Sequence, residues 1–219
     1  MRIPLAKYGA RELVLFGGLA LAGLIVSAVL AWWPLALLFA ATLVFIVAFF
    51  RDPERRVPAD PGALVAPADG RVTEVTETEE PRFLKGRAHK IGIFMSLASV
   101  HVNRAPCAGR VEAVDHQPGL FLDARDPASS ARNEATALAL ADAEGRGTRV
   151  LVRQVAGVLA RRIVCDAAVG DVLARGQRIG MIKFGSRAEV YVPVASGFEV
   201  LVSPGARVRA GETVLGRFP

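Results

Sequence analysis

The stretch from Met181 to Pro193, "MIKFGSRAEVYVP", contains the pattern on which the fold assignment depends. Aliphatic and aromatic side chains on both sides of its centre, among them Ile182 and Val190, predict two strands. The centre itself is Gly185-Ser186, and a glycine inside a strand is typical of a bulge or of a close approach by another backbone segment. We therefore expect strand, interruption and strand, with a hydroxyl group held at the interruption.

Short strands joined at glycine-containing corners recur on both sides of this stretch. The segments "GDVLARGQRIGMIKF" (170–184) and "GARVRAGETVLGRF" (205–218) resemble each other. Together with "VAPADGRV" and "VPVASGFEV" they predict a mainly β body with the strand pattern of lipoyl- and biotinyl-type barrel sandwiches. Such a fold hosts many functions. The lysine that a swinging-arm carrier needs at a hairpin tip is absent, so that function is not predicted.

Other segments of the body are also predicted as strands. The segment "LVAPADGRVTEV" (64–75) predicts a strand, a turn and a second strand, while "GRVEAVDHQPG" (109–119) predicts a hairpin. A further hairpin is expected in 135–157, with its turn at Glu144 to Gly147. The alanine content of 131–144 favours a helix, whereas the residues after it favour a strand, and both assignments stay open.

The excess of apolar residues lies at the amino-terminal end. The chain has 219 residues, of which 52% are hydrophobic, and no charged residue occurs between Leu13 and Phe50. "WWP" at 32–34 divides this run into Leu13–Ala31 and Leu35–Phe50, and crossing a bilayer as a helix takes about 20 residues. We predict an α-helical membrane hairpin, because a second apolar segment directly after the first disfavours a cleaved signal peptide. A re-entrant hairpin remains an alternative.

The distribution of charge predicts the orientation of the hairpin and an anionic membrane as its partner. Arginine and lysine flank the hairpin on both sides, which places both ends and the body on the cytoplasmic side of the cell membrane. The formal net charge of +6 suits an anionic membrane, and no nucleic-acid partner is predicted. We expect residues 1–56 to form the hairpin with its basic linker and residues 57–219 to form the second domain. Two cysteines and three histidines without metal-ligand spacing predict neither a disulfide framework nor a metal site.

Few residues can carry chemistry. His101 follows a strand pattern and enters a polar loop, Asp69 lies in an Asp-Gly turn, and Ser186 lacks the GxSxG surroundings of a hydrolase nucleophile. A different reaction is open to Gly185-Ser186. If a base removes the Ser186 proton, the hydroxyl oxygen can attack the Gly185 carbonyl to form an ester, and elimination then breaks the chain. The resulting dehydroalanine hydrolyses to a pyruvoyl group.

Several motifs together resemble the phosphatidylserine decarboxylase proenzymes, most closely their short form. They are "APADGRV", "SVHVNRAPCAG", "PGLF", "ARNEA", "GDVLARGQRIG" and "RGQRIGMIKFGS", in the order of that family and over nearly the whole body. The resemblance implies a zymogen that cleaves itself between Gly185 and Ser186. The products would be a β chain, 1–185, and an α chain, 186–219, which form a heterodimer. The cofactor would be a covalent pyruvoyl group made from Ser186, with no metal.

The resemblance also implies roles for individual residues. Asp69 matches the aspartate of the self-cleavage triad, and His101 matches the first histidine of the HxxH segment of longer forms. The second histidine of that segment, which those forms use in the triad, is replaced here by Arg104. Two alternatives therefore stay open: His101 serves in both self-cleavage and decarboxylation, or another group helps as the base. Arg104 and Arg187 are expected to bind the substrate.

The implied reaction is a carboxy-lyase reaction of phospholipid biosynthesis. The amine of phosphatidylserine forms a Schiff base with the pyruvoyl group, which withdraws electrons while carbon dioxide leaves. A general acid, for which His101 is the candidate, returns a proton, and phosphatidylethanolamine is released. One alternative is a membrane-anchored lipoyl-like adaptor without catalysis. Another is a serine hydrolase that acylates Ser186 without breaking the chain.

Overall fold

The computed structural model of the chain describes residues 4–142, 147–158, 162–183 and 185–219. Packing divides the chain into two units, Met1–Glu54 and Arg55–Pro219. Most of the turn predicted at Glu144 to Gly147 lies outside the described residues, and so does Phe184.

The amino-terminal unit is a pair of helices. A short 3₁₀ turn, Lys7–Gly9, leads into α1, Ala10–Val29, and α2 follows at Trp33–Phe49 with a proline in its first turn. Among the described residues, the helical segment Lys7–Val29 is long and apolar enough to cross a membrane, and α2 is a shorter apolar helix. Many large apolar side chains of both helices are exposed, as expected for surfaces that face lipid. The predicted helical hairpin is confirmed.

The second unit is built mainly of antiparallel strands, as predicted. Its described residues form one eight-stranded sheet, which curls into a half-barrel, and two three-stranded sheets. The large sheet has the order β13-β2-β3-β11-β7-β6-β5-β9, and the small sheets have the orders β1-β14-β12 and β4-β10-β8. A short helix, α3, covers Ser129–Arg132. The strands are β1 Ala63–Val65, β2 Gly70–Glu80, β3 Gly86–Met95, β4 Val102–Arg104, β5 Gly109–Gln117, β6 Ala135–Asp142, β7 Arg149–Val155, β8 Ile163–Cys165, β9 Val172–Leu173, β10 Arg178–Ile182, β11 Ser186–Pro193, β12 Glu199–Val200, β13 Arg207–Val208 and β14 Val214–Arg217.

The interruption predicted at Gly185 is present. Strand β10 ends at Ile182 in one small sheet, and β11 begins at Ser186 in the large sheet, between β3 and β7. Successive side chains of β11 point to opposite faces of the sheet. Ala188, Val190 and Val192 face the main hydrophobic core, so Ser186 lies on the core face as well.

The two similar segments occupy equivalent places. Each contains a two-residue strand, a corner and a longer strand, and the corner glycines Gly176 and Gly211 have φ angles of +75° and +74°. The equivalence extends to "APADGRV" (66–72) and "APCAGRV" (105–111), because Gly211 N–H donates to Ala66 O and Gly176 N–H donates to Ala105 O, each at 2.8 Å. The barrel-sandwich body is therefore an internal repeat of two interlocked halves.

Two local predictions need correction or completion. Residues 109–117 form the single strand β5 rather than a hairpin, because no turn residue interrupts their pattern and the strand pairs with β6 along its whole length, apart from a bulge at Glu112. The segment 131–144, for which helix and strand stayed open, contains both: the last turn of α3 and then β6. β1 and β2 flank the Asp69-Gly70 turn as predicted, but they belong to different sheets.

Candidate active site

The hydroxyl group of Ser186 lies in a buried position without a hydrogen-bond partner among the described residues. Ser186 is the first residue of β11 and is fully buried, and its Oγ reaches no acceptor or donor there. A buried hydroxyl that makes no hydrogen bond costs free energy of about 1 to 3 kcal/mol. An orphaned group of this kind needs an explanation, and a catalytic role is one that buried polar groups commonly have.

The carbonyl group before Ser186 is closely confined. Gly185 has a φ angle of +62°, a conformation that favours glycine. A Cβ atom built on Gly157 would lie 2.0 Å from the Gly185 carbonyl oxygen. The oxygen therefore occupies the space that any side chain at position 157 would need. Gly157, which the sequence analysis did not select, leaves the space that the carbonyl oxygen at the predicted cleavage point occupies.

His101 is buried beside the strand that leads to this point. Its backbone carbonyl accepts a hydrogen bond from Ile182 N–H at 3.3 Å, at the end of β10. Its Nδ1 lies 3.0 Å from the carbonyl oxygen of Ser99. Because a carbonyl oxygen only accepts, Nδ1 must carry the hydrogen, and neutral His101 then has its lone pair on Nε2. That tautomer is the one a general base requires.

Uncharged polar side chains surround the core face near Ser186. Met95 lies directly opposite Ser186 in the pairing of β3 with β11. The buried amide Nδ2 of Asn103 lies 3.6 Å from the Met95 sulfur, and Gln154 Nε2 donates to Asn103 Oδ1 at 2.8 Å. A glutamine within the apolar pattern "VLVRQVAG" was a signal in the sequence that the analysis did not use. Met95 and the two amides thus form a chain of contacts between β3, β4 and β7, of which β3 and β7 pair with β11.

Asp69 and Arg104 lie in a second neighbourhood. The Asp69 carboxylate accepts hydrogen bonds from Arg55 Nη2 at 2.9 Å and from the backbone N–H of Ala210 at 2.8 Å. A Cβ atom on Gly211 would lie 3.1 Å from Arg104 Cδ and 3.6 Å from Arg55 Cβ, so both arginines pass close to this glycine. Arg104 is buried and donates to the Gly176 carbonyl at 2.9 Å. The structure thus groups Asp69 with Arg55 and Arg104.

Arg187 lies on the face of β11 opposite to Ser186. Only 1% of its side chain is exposed, and the guanidinium contacts Glu189 through Nε and Glu74 through Nη2, each at 2.8 Å. A Cβ atom on Gly92 would lie 2.3 Å from Nη2, so this glycine leaves the passage by which Arg187 reaches Glu74. These contacts favour a structural role for Arg187 over its predicted contact with substrate.

A cavity of about 230 Å³ adjoins Gly185. Its walls include Phe94, Leu97, Ala124 and Val158, and an ion pair between Arg125 and Asp123 lies at its edge. Hydrogen bonds from Arg125 lower the pKa of Asp123 to about 2, so the pair stays charged at neutral pH. The cavity offers a small, mainly apolar space with an exposed cation next to Gly185.

The comparison with known proteins assigns the family. A model of the phosphatidylserine decarboxylase family matches residues 43–216 of the chain. The chain belongs to this family. The phosphatidylserine decarboxylase proenzyme of Symbiobacterium thermophilum is 51% identical over 219 residues, which cover 100% of this chain and 98% of that protein. The proenzyme of Geotalea uraniireducens is 48% identical, with 91% of this chain and 92% of that protein covered.

A third relative agrees over the full length. The proenzyme of Carboxydothermus hydrogenoformans is 44% identical, with 99% of each chain covered. The family assignment confirms the resemblance drawn from the motifs and makes the protein a decarboxylase, a carboxy-lyase. The adaptor alternative is not favoured. The roles of Ser186, His101, Asp69, Arg104 and Arg187 stay predictions.

Proposed function

We propose that this protein decarboxylates phosphatidylserine to phosphatidylethanolamine, a step of phospholipid biosynthesis, with a pyruvoyl group generated by self-cleavage at Gly185-Ser186. The single observation that carries the proposal is the environment of that bond. A buried, unpartnered serine hydroxyl follows a glycine whose carbonyl oxygen is held against Gly157. Membership of a family whose relatives are named proenzymes supports the same conclusion.

The residues present suit the formation of this group. In the described surroundings, no hydrogen bond to Ser186 Oγ has to be broken before the oxygen turns toward the Gly185 carbonyl. The Nε2 lone pair of His101 is the proposed acceptor of the hydroxyl proton. Asp69 is proposed to act by positioning the loop between β1 and β2, and its hydrogen bond with Arg55 supports that role.

A pyruvoyl group at position 186 would supply an electrophilic carbonyl for the substrate amine and an electron sink for the loss of carbon dioxide. In this proposal His101 returns a proton to the carbon that has lost carbon dioxide. We propose that Arg104 binds an anionic part of the substrate, since Arg suits carboxylate and phosphate. For Arg187 the contacts with Glu74 and Glu189 support an anchoring role for the new α chain.

The other parts of the proposal concern assembly and location. Residues 1–56 act as the membrane hairpin and 57–219 as the decarboxylase domain, with the β chain 1–185 and the α chain 186–219 remaining together as a heterodimer. Strand pairing supports this, since β11 of the α chain lies between β3 and β7 of the β chain. The apolar helix Lys7–Val29 and its basic flanks support a cell-membrane location with an anionic leaflet and a cytoplasmic catalytic domain.

Denaturing electrophoresis and mass spectrometry test the proposal on the full chain. Wild type should give two fragments, 1–185 and 186–219, the second with a borohydride-reducible carbonyl in place of its amino terminus. Ser186→Ala should remain a single chain without decarboxylase activity. Ser203→Ala, which alters an exposed serine of the same fragment, should mature normally and serves as the matched control. A single uncut wild-type chain with full activity would contradict the proposal.

A further inference from the structure

The cavity beside Gly185 is too small to enclose a diacyl lipid. Its volume is about 230 Å³, below the range of about 300 to 1,000 Å³ that is typical of pockets enclosing a drug-sized ligand. A phospholipid headgroup fits such a space, but two acyl chains do not. If the substrate is the lipid of the proposed function, on which this inference rests, its chains must remain in the bilayer while its headgroup reaches Gly185. The opening of the cavity must then touch the bilayer surface.

The opening has the side chains that such contact needs. Leu97, in the loop after β3, is 40% exposed, and Val158, in the segment after β7, is 53% exposed, and both line the cavity that includes Gly185. Scattered apolar residues on a surface need no explanation. Leu97 and Val158 differ from such scattered residues because they belong to separate segments of the chain and yet line the same cavity.

A cation accompanies the two apolar side chains. Arg125 at this cavity is 70% exposed and donates to Asp123 through Nε and Nη2. Its Nη1 has no hydrogen-bond partner among the described residues and is available to a phosphate group. An apolar pair with an exposed guanidinium matches an anionic bilayer, where acyl carbon and phosphate lie within one side-chain length of each other.

We infer that Leu97 and Val158, with Arg125 beside them, form a docking rim by which the catalytic unit contacts the surface of an anionic bilayer and draws a lipid headgroup to Gly185. Each apolar side chain transfers its exposed area from water to the interface, which favours the docked state. The rim belongs to the catalytic unit and gives that unit its own contact with lipid.

The test uses full-length protein in phosphatidylcholine vesicles with two substrates. One is long-chain phosphatidylserine in the bilayer, supplied at stepped mole fractions, and the other is soluble dihexanoylphosphatidylserine. For the double variant Leu97→Gln/Val158→Gln, the ratio of bilayer activity to soluble-substrate activity should fall about tenfold, chiefly through a higher mole fraction at half-maximal rate. The control Val169→Gln/Leu201→Gln alters side chains that are 64% and 48% exposed away from this cavity and should keep the wild-type ratio.

An equal fall in both double variants, or no fall in either, would overturn the docking rim. If the Leu97→Gln/Val158→Gln protein fails to mature, Leu97→Trp decides the question, because tryptophan suits a membrane interface. Brominated phosphatidylserine should quench added fluorescence in Leu97→Trp but not in Val169→Trp, and equal quenching would refute the rim. Failure of the proposed function has a different signature, since wild type would then remain uncut and act on neither substrate.

Discussion

The two faces of β11 have opposite chemistry. On the core face, Ser186 is surrounded by apolar and uncharged polar side chains, and its hydroxyl makes no hydrogen bond among the described residues. On the other face, Arg187, Glu189 and Tyr191 belong to a network of buried ions. Side chains alternate between the two faces along a strand. One residue can therefore be suited to a reaction while the next residue anchors the strand. The ion pairs therefore anchor β11 from the face opposite to Ser186.

Glu189 lies at the centre of the ionic face. Glu189 is fully buried and accepts hydrogen bonds from Arg187 Nε at 2.8 Å, Tyr191 Oη at 2.7 Å and Ser130 Oγ at 3.1 Å. Lys90 Nζ lies 3.3 Å from the same carboxylate. Burying charges is costly, and the cost is offset only where geometry is good and every lone pair is used. Burial and the neighbouring Glu189 carboxylate also raise the pKa of Tyr191, which stays a neutral donor.

His101→Gln is the change with the largest expected effect on the reactive face. It removes the proposed acid and base, so self-cleavage and decarboxylation should both slow by about 10² to 10⁴. The rates are measured by gel densitometry during maturation and by carbon dioxide release from the matured fraction. His116→Gln, a change of an exposed histidine that contacts Thr136, is the control. Normal maturation and turnover in His101→Gln would exclude the acid–base assignment while leaving the pyruvoyl proposal intact.

Gly157→Ala should affect maturation nearly as strongly, without adding charge. Its methyl group would fall 2.0 Å from the Gly185 carbonyl oxygen, so the carbonyl must turn and self-cleavage should slow by about 10². Time courses of chain cleavage measure this effect. Gly86→Ala, at a strand position with nothing within 4 Å of the new Cβ, should cleave at the wild-type rate.

Two further measurements separate carbonyl position from ordinary packing. Hydroxylamine cuts an ester, so it should release little fragment from Gly157→Ala if the attack on the carbonyl is the step that fails. The added Cβ would also lie 3.3 Å from Ala124 Cβ. Adding Ala124→Gly relieves that contact but not the one with the carbonyl oxygen. Restored cleavage in the double variant would refute the proposed role of Gly157.

Glu189→Gln tests the opposite face, where stability rather than chemistry should change. The substitution leaves Arg187 buried with one carboxylate fewer, and breaking a buried ion pair costs about 3 to 5 kcal/mol of unfolding free energy. Calorimetry of the full chain in detergent measures the loss. Self-cleavage below the unfolding temperature should remain near the wild-type rate. Glu112→Gln, in an exposed pair with Arg149, should change stability by less than about 1 kcal/mol. Slow cleavage in fully folded Glu189→Gln would show that the faces are coupled.

The sequence predicted most of what depends on local pattern. The apolar helices, the strands around Gly185-Ser186 and the glycine corners at Gly176 and Gly211 follow from composition and spacing over a few residues. The bond proposed to react was selected in the same way, because a glycine–serine pair in a strand is locally anomalous. The family motifs then supplied the remaining candidates.

Residues whose importance depends on distant partners could not be predicted. Gly157 leaves space for the carbonyl oxygen of Gly185, and Gly92 leaves space for the Arg187 side chain on its way to Glu74. Neither pair of residues has a characteristic spacing in the sequence. Arg187 was predicted as a substrate contact because it follows Ser186, although alternation along β11 turns it to the opposite face. The similarity of residues 66–72 to residues 105–111 is present in the sequence. The matching hydrogen bonds at Ala66 and Ala105 show that the two segments are also structurally equivalent.

Glu74→Gln has the smallest expected effect. It tests how the contribution of the ionic face to the unfolding free energy depends on pH. Burial alone would raise the pKa of Glu74, but hydrogen bonds from Lys90 and Arg187 outweigh it and hold the pKa below its ordinary value of 4.5. A carboxyl group whose pKa is lower in the folded state stabilises the fold at pH values above the unfolded pKa. The contribution disappears as the pH falls through the folded pKa.

Wild type should therefore exceed Glu74→Gln in unfolding free energy by about 1 to 2 kcal/mol at pH 7, a typical value for charge-assisted hydrogen bonds. The difference should stay constant down to about pH 5 and shrink below pH 4.5 as wild-type Glu74 takes up its proton. Urea unfolding at stepped pH measures both values. A difference that grows on acidification would mean that burial, rather than Lys90 and Arg187, dominates the environment of this carboxylate, and that the ionic face does not anchor β11 by charge.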